Sequence, residues 1–425
     1  MEPSSQPTSQ SKRSRRQGRL GLILILGCLA IAGGLALRNS GWARERRLRT
    51  LSVEELALAI HDAPNDPLTF AYYGAALSRA DALEESERAF RRSIELDPRS
   101  SRAFTGLGTV LLKRGRFSDG RQTLEKAVEL NPEDAEAYLG IAQAYNLAGV
   151  PAGSVASLRK ITELRPKSAI AWFNLGKAYG FANDWHNADR ALSRSVALDP
   201  KLAAAWRDLG QVDRHYSRLK EAEEHLTQAI RLDRNDPVSH FQLGCLFADL
   251  GTTDELYWKA QSCMLNAIQR DPQYVSAHYQ LGKLYERRGN WRAAVSSFRK
   301  AHELDRSHGE ALYYLGLCLI KDGQVEEGRK LVRGAQELKQ AKSEIESLTS
   351  RIAADPNNRD LLLRRARLYR KYRNSEGAVE DFRAYHRLAK GPEDPAIEKE
   401  VADFINELRS EKKTGPGTHA PGSGH

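Results

Sequence analysis

Apolar residues recur along most of the chain with the spacing of amphipathic helices. In residues 169–202, a first stripe at i, i+3, i+4 and i+7 is formed by Trp172, Leu175, Gly176 and Tyr179. A second stripe follows at Ala188, Leu192 and Ser195. The segment then ends at Asp199-Pro200, because a proline pushes the residue before it out of the α region. The pattern predicts two helices joined by a short turn.

The same two-helix pattern repeats at a fixed interval. Four copies end in a leucine, a polar residue and a proline, and successive prolines are 34 residues apart, at Pro98, Pro132, Pro166 and Pro200. A small residue recurs with the same period inside each first helix, at Gly74, Gly108, Ala142, Gly176, Gly210 and Gly244. A small residue there allows two helices to approach closely, while large apolar side chains fill the space between neighbouring pairs.

These offsets resemble the tetratricopeptide repeat family, whose unit of 34 residues has the same period as this chain. One copy of the family pattern has Phe104, Leu107, Gly108, Leu111, Gly115, Gly120, Leu124, Ala127 and Pro132. Another has His278, Leu281, Gly282, Tyr285, Gly289, Ala294, Phe298 and Ala301. In this register, eight repeats and a degenerate ninth are predicted at 67–100, 101–134, 135–168, 169–202, 203–236, 237–274, 275–308, 309–342 and 359–392.

The resemblance implies an all-α fold, a right-handed superhelical solenoid of antiparallel helix pairs that holds extended peptides on its concave face. In the family this face is lined by residues of the first helix that point away from its packed stripe. In this chain we predict a peptide-binding role for the residues at these positions, which are Asn174, Lys177, Asp208, Gln211, Gln242, Gln280 and Lys283. The amide side chains among them offer both a donor and an acceptor to a peptide backbone.

Other parts of the body depart from the repeat. Residues 237–274 are four residues longer than the other repeats, and we expect the insertion at 252–255, between the two helices. Residues 343–358 are predicted to extend the helix before them, because few helix-breaking residues occur there. Helices that cap the array, as exposed ends of repeat arrays require, are predicted at 52–63 and 395–409, with disordered tails at 1–19 and 412–425.

Residues 20–37 are predicted to form one N-terminal transmembrane helix. They contain no ionisable side chain other than Cys28, and as a helix they would span roughly 27 Å, close to the ~30 Å hydrocarbon core. Basic residues flank both ends, and those on the C-terminal side form a juxtamembrane segment at 38–51. The alternatives are a buried helix of a soluble domain and a cleaved signal peptide. Ala30-Ile31-Ala32 fits a cleavage site, although the apolar run continues beyond it to residue 37.

The orientation of this span is not fixed by charge, because five basic residues stand on each side of it. The short N-terminal tail, which ends in basic residues beside the apolar run, favours an N-terminus inside the cell. The expected localisation is therefore that of a single-pass protein of the bacterial inner membrane, with the lipid bilayer contacting residues 20–37 and the repeat body in the periplasm.

The distribution of charge argues against nucleic acid as a partner. The chain has a net charge of +10, but residues 1–50 alone account for +8 of it. The nearly neutral body offers no broad surface that could follow a phosphate backbone. A basic run in the ninth repeat is compatible with an acidic partner, an anionic membrane surface or a solvated helix face, and consists of Arg364, Arg365, Arg367, Arg370, Lys371 and Arg373.

The sequence contains no recognisable catalytic chemistry. The motifs GxxxxGK[ST], GxGxxG, HExxH and GxSxG are missing, and neither the 11 histidines nor the 4 cysteines have the spacing of metal ligands. His240 and His278 occupy the aromatic position of their repeats, where packing is the default role. We therefore expect a protein that is not an enzyme, with no cofactor, no metal and no small-molecule substrate.

Two functional classes agree with these features. In the first, the chain is a membrane-anchored scaffold or adaptor that binds partner proteins or extended peptides on its concave face. In the second, it is a non-catalytic recognition or regulatory subunit of a membrane-associated enzyme or assembly complex. Both would use the same face, so the identity of the captured partners distinguishes them.

Overall fold

The computed structural model describes residues 41–251, 253–372, 375–388 and 395–414. All regular structure in these ranges is helical, and the helices, α1 to α21 in chain order, divide between two compact units. Unit 1 is Met1–His215 and unit 2 is Tyr216–His425. The prediction of an all-α fold is confirmed for the part of the chain that the structure describes.

Unit 1 contains two N-terminal helices and then helix pairs, in which a first helix of 13 residues precedes a second helix of 14. The N-terminal helices are α1 (Gly41–Thr50) and α2 (Val53–Asp62). The pairs are α3 (Pro67–Arg79) with α4 (Leu83–Leu96), α5 (Ser101–Lys113) with α6 (Phe117–Leu130), α7 (Ala135–Leu147) with α8 (Pro151–Leu164), and α9 (Ala169–Phe181) with α10 (Trp185–Leu198). A further first helix, α11 (Ala203–His215), ends the unit.

Unit 2 begins with a second helix, α12 (Leu219–Leu232), and continues with pairs. These are α13 (Pro237–Leu250) with α14 (Asp254–Arg270), α15 (Val275–Arg287) with α16 (Trp291–Leu304), α17 (Gly309–Lys321) with α18 (Val325–Ala354), and α19 (Arg359–Lys371) with α20 (Ser375–Arg387). The last helix is α21 (Pro395–Thr414). The segment predicted as a tail from residue 412 is thus helical as far as Thr414, and its remainder lies outside the described residues.

The turn between the two helices of a pair contains a residue in the left-handed region. In four pairs this residue is a glycine with φ between 68° and 91°, at Gly115, Gly149, Gly289 and Gly323. In others it is Asp81 or Asn183, with φ of 59° and 58°. Glycine reaches this conformation without steric cost, and Asp and Asn tolerate it better than most side chains. The reversal of the chain is therefore encoded at one position of the repeat.

The two helices of a pair pack through a glycine on the first helix. A Cβ atom placed on Gly176 would lie 2.6 Å from Cγ of Leu192, which shows that the leucine already fills that space. At Gly282, a Cβ atom would lie 2.8 Å from the ring of Phe298. The recurring small residue thus allows the close approach that the sequence predicts.

The aromatic position of the first helix has a second function, which histidine fulfils as well as tryptophan. In four repeats a ring nitrogen lies within hydrogen-bonding distance of the carbonyl oxygen six residues earlier: Trp172 to Pro166 and Trp206 to Pro200 at 2.9 Å, His240 to Arg234 at 3.2 Å, and His278 to Pro272 at 3.0 Å. Both histidines are buried, and burial lowers the pKa of His240. These contacts hold the turn that precedes each first helix.

The repeat at 237–274 accommodates its additional residues differently from the sequence prediction. Helix α13 has 14 residues and α14 has 17, so the first helix is longer by one residue and the second by three. Asp254 already belongs to α14, and the Thr253 side chain accepts a hydrogen bond from its first turn. The expectation of an insertion between the helices is wrong, because the additional residues extend the helices.

The N-terminal end of unit 1 begins with a helix that the sequence analysis assigned to a juxtamembrane segment. Helix α1 buries Leu48 against Leu56 and Tyr72, and Arg44 forms an ion pair of 2.5 Å with Asp66. The predicted membrane span at 20–37 and the tail at 1–19 lie outside the described residues. Among the helices of the described ranges, none is long and apolar enough to cross a bilayer.

Candidate peptide-binding surface

Four of the predicted peptide-binding residues lie in unit 1, on α9 and α11. Lys177 and Gln211 are exposed, whereas Asn174 and Asp208 are half-buried. The Asp208 carboxylate accepts a hydrogen bond of 3.0 Å from Nε of the adjacent Arg207. The charge of Asp208 is thus balanced within the helix, and Asn174 and Lys177 remain the clearest polar groups on this surface.

Large apolar side chains are exposed on the same helices. On α9, Ile170 and Phe181 are 62% and 63% exposed, and the 100° turn per residue places them on one stripe with Asn174 and Lys177. The Lys177 ammonium lies 6.0 Å from the centre of the Phe181 ring. The predicted polar residues are therefore part of a mixed surface that is apolar at both ends.

The neighbouring first helix, α7, shows the same feature. Leu139 and Leu147 are 39% and 58% exposed, and the exposed Gln143 lies between them in the sequence. Helices α7, α8 and α9 share a core that includes Ala142, Leu158 and Leu175. We refer to Leu139, Leu147, Ile170 and Phe181 together as the apolar patch. The sequence analysis missed it, although apolar residues opposite a packed stripe were a visible signal.

The other three predicted residues lie in unit 2, on α13 and α15. Gln242 and Gln280 are half-buried, and the Oε1 atom of Gln242 is buried without a hydrogen-bond partner among the described residues. A buried acceptor without a donor costs stability. Peptide binding by the seven residues stays a prediction, since they divide between the two units.

The side chain of Lys283, one of the predicted peptide-binding residues, already makes contacts within unit 2. Its Nζ atom lies 2.9 Å from the Glu286 carboxylate and 3.7 Å from the centre of the Tyr314 ring. Burial lowers the pKa of Lys283, but the contacts with Glu286 and Tyr314 outweigh burial and raise it overall. The ammonium group is thus held between α15 and α17, where it contributes to packing.

The basic run of the ninth repeat is largely neutralised by contacts within unit 2. Arg364 pairs with Glu344 at 2.5 Å, Arg365 pairs with Asp381 at 2.7 Å, and Arg367 pairs with Glu400 at 2.7 Å. Arg373 lies outside the described residues. These pairs join α19 to α18, α20 and α21, so the run serves mainly to hold the end of the array together.

The described residues contain no group of three or more His, Cys, Asp or Glu side chains that could hold a metal ion. Two half-buried or buried cysteines are poor nucleophiles, because burial raises the pKa of both Cys263 and Cys318 to about 11. The chemistry available on this surface is therefore hydrogen bonding, ion pairing and apolar contact.

Comparison with known families agrees with the repeat architecture. Two family models described as "Tetratricopeptide repeat" match residues 105–169 and 287–352. A third, described as "Cilia and flagella-associated protein 70 C-terminal domain", matches residues 156–314. Among curated proteins, none matches this chain.

Several solved structures are similar to this chain at low sequence identity. One is YrrB, described as a TPR protein with an unusual peptide-binding site, which is 20% identical to this chain. The match covers 44% of this chain and 97% of YrrB, with a TM-score of 0.39. A human IFIT1 dimer with PPP-AAAA is 17% identical, covering 80% of this chain and 87% of that one, with a TM-score of 0.45. Pseudomonas aeruginosa pilF is 21% identical, covering 48% and 92%, with a TM-score of 0.41.

Proposed function

Because this chain is a tetratricopeptide-repeat protein, we propose that it is a non-catalytic scaffold that binds extended segments of partner proteins on the exposed faces of its first helices. The apolar patch is the observation that carries this proposal. Exposed apolar side chains that cluster on neighbouring helices are typical of protein interaction sites. Polar groups between them, such as Asn174, Gln143 and Lys177, would fix the register of a bound peptide.

The expected ligand is an extended segment with apolar side chains at intervals. Such a segment would bury its apolar side chains against Ile170 and Phe181 and hydrogen-bond its backbone to the intervening amide groups. Full burial of one large apolar side chain contributes roughly 1.5–3 kcal/mol. Two or three anchors of this size contribute roughly 3–9 kcal/mol before the cost of association, so hydrogen bonds and ion pairs must add to the affinity.

A variant with the two most exposed apolar residues of α9 replaced tests this proposal. Ile170→Ser/Phe181→Ser in the full chain should reduce partner capture by roughly tenfold or more in crosslinking pull-downs from detergent extracts. The matched control is Leu58→Ser/Phe117→Ser, which removes two exposed apolar side chains from other faces of unit 1. Equal capture by the two variants would show that the apolar patch is not the binding surface.

The pull-down also distinguishes the two functional classes. A diverse set of captured segments supports the scaffold or adaptor function. One dominant catalytic protein, lost in the Ile170→Ser/Phe181→Ser variant, would instead support a recognition or regulatory subunit of a membrane-associated enzyme. Both outcomes use the same surface, and the captured proteins are identified by mass spectrometry.

We also propose that residues 20–37 anchor the scaffold in a bacterial inner membrane with the repeats in the periplasm. The apolar run in the sequence, flanked by basic residues, supports this proposal. The full chain should remain in the membrane fraction after alkaline carbonate washing, whereas a chain that begins at Gly41 should be released. Release of the full chain would exclude the anchor, and protease protection of a C-terminal tag in right-side-out vesicles would determine the orientation.

A further inference from the structure

At three first helices of the array, a large side chain at the fifth residue packs against a neighbouring repeat, although Leu139 at the same position of α7 is 39% exposed. Phe173 packs against the core that includes Ala205 and Leu209 of α11, and Tyr279 packs against the core that includes Phe298 and Leu315. Within unit 2, Phe241 likewise contacts the ring of Tyr274, which precedes α15, with ring centres 5.0 Å apart. At these three positions the following repeat contributes to the cover of the side chain.

Tyr313, which occupies this position on α17, has no such cover. It is 38% exposed, and its ring stands edge-on to that of Tyr314 with centres 5.6 Å apart. The second helix of this pair, α18, runs for 30 residues where other second helices have 14 to 17. The next first helix, α19, packs against α18 at its far end, where Arg364 pairs with Glu344 and Arg365 hydrogen-bonds to Thr349.

The interruption of the repeat leaves a groove between α17 and α18 with a volume of about 750 Å³. One wall consists of Glu310, Tyr313 and Tyr314, and the other presents Lys339 and Lys342 beside Leu338. Lys339 and Lys342 are exposed and form no ion pair with any residue in the described ranges. The two carboxylates of the lining already accept hydrogen bonds, Glu310 from the Tyr279 hydroxyl and Asp305 from the Ser307 backbone N–H. The groove thus combines an apolar floor with two uncompensated positive charges on one side.

We propose that this groove binds an amphipathic helix of a partner protein that carries acidic side chains beside its apolar stripe. The inference rests on the proposed scaffold function and assigns a second, helical binding mode to unit 2. The partner helix would take the place that the first helix of the next repeat takes elsewhere in the array. Its apolar residues would cover Tyr313 and Leu338, and its acidic residues would pair with Lys339 and Lys342, which lie three residues apart on one face of α18.

Two synthetic peptides with the same apolar stripe test the charge preference. Both are stapled, fluorescein-labelled helices with the 13-residue length of α17, and they carry either glutamate or lysine beside the stripe. Stapling is needed because isolated helices of this length are marginal in water. The full chain in detergent should bind the glutamate peptide at least about tenfold more tightly than the lysine peptide, as measured by fluorescence anisotropy.

Charge reversal locates the binding site. Lys339→Glu/Lys342→Glu should weaken binding of the glutamate peptide by about tenfold or more and improve binding of the lysine peptide. The matched control is Lys330→Glu/Arg333→Glu, which makes the same change in charge at the same spacing on α18, on exposed residues away from the groove. Tyr313→Ser should weaken the binding of both peptides, because it removes an apolar contact that both of them make.

The groove proposal is wrong if neither peptide binds, if both bind equally, or if the two charge-reversal variants lose binding to the same extent. Circular dichroism confirms that each variant is folded. A failure of the groove proposal can be told apart from a failure of the proposed scaffold function. The scaffold function is tested separately, by partner capture in the Ile170→Ser/Phe181→Ser variant, whose changes lie in unit 1.

Discussion

The guanidinium of Arg365 and the carboxylate of Asp381 are joined by two hydrogen bonds of 2.7 Å each, which link α19 to α20. The two side chains are only 15% and 5% exposed. By contrast, the neighbouring pair of Arg364 with Glu344 is 64% and 36% exposed. Adjacent arginines of one basic run therefore have different energetic roles.

Arg365→Ala should destabilise the C-terminal end of unit 2 by about 3–5 kcal/mol, because it leaves the Asp381 carboxylate buried without its partner. Arg364→Ala should cost less than about 1 kcal/mol, since exposed pairs are screened by water and salt. Hydrogen exchange of the α19–α21 amides measures both effects on the same chain. Similar protection in the two variants would contradict the difference in burial.

The repeat register was predictable from the sequence because its determinants are local and periodic. The glycine at the helix crossing, the ring that holds the preceding turn and the proline after the second helix each recur at a fixed offset, as Gly176, Trp172 and Pro200 illustrate. Because the pattern recurs in many copies, an exception at a single position does not change the predicted register. His240 and His278 replace tryptophan in this role because an imidazole N–H reaches the same carbonyl group.

Exposure was not predictable in the same way, because it depends on what covers a residue. Phe173 and Tyr313 occupy the same repeat position, but only Phe173 is packed against a following first helix. Leu139 of the apolar patch occupies the same position and is exposed although a first helix follows at the ordinary interval. Helix α1 was missed because its sequence is mostly polar. Among its residues whose burial is described, Leu48 is buried, and Arg44 forms an ion pair with Asp66.

Two glycines of α9 should respond in opposite ways to substitution. Gly176→Leu should destabilise unit 1 by at least about 1–3 kcal/mol, because even a Cβ atom there lies 2.6 Å from Leu192. Gly180→Ala should stabilise it by about 0.5–1 kcal/mol, since no atom lies within 4 Å of a Cβ at that position and alanine favours the helix. Urea unfolding followed by circular dichroism measures both changes. An unchanged transition for Gly176→Leu would contradict packing in this register.

The buried thiols should make labelling and stability depend on pH. Burial raises the pKa of Cys318 to about 11, whereas an unfolded cysteine has a pKa of about 8.5. At pH 8 the folded chain should therefore react with iodoacetamide at Cys318 at least about a hundredfold more slowly than the urea-unfolded chain, as measured by mass spectrometry of tryptic peptides. Equal rates would show that the thiol is accessible.

The same shift has a defined sign for stability. The folded state keeps the Cys318 proton to higher pH than the unfolded state, so the contribution of this group is fully present below about pH 8.5 and is lost as pH rises toward about 11. Cys318→Ala should remove this part of the alkaline destabilisation. Urea unfolding midpoints at pH 8 and pH 10 measure the difference, and an identical pH dependence in the variant would contradict it.

The last prediction concerns the amide residues that the sequence analysis placed on the binding face. The amide groups of Asn174, Gln242 and Gln280 each offer both a donor and an acceptor to a peptide backbone. Each such bond contributes only about 0.5–1.5 kcal/mol, so single alanine variants should show little effect. Changing Asn174, Gln242 and Gln280 to alanine together should weaken partner capture by tens-fold, roughly 2–3 kcal/mol.

A matched triple variant separates this effect from a general loss of amide groups. Gln122→Ala/Gln228→Ala/Gln340→Ala removes three amides from second helices, in both units, and should leave capture unchanged. If the Asn174, Gln242 and Gln280 variant folds normally and still retains every partner, the amides are a solvated surface and the apolar patch carries the affinity. If it loses partners that the Ile170→Ser/Phe181→Ser variant also loses, both sets of residues contribute to capture of the same partner protein.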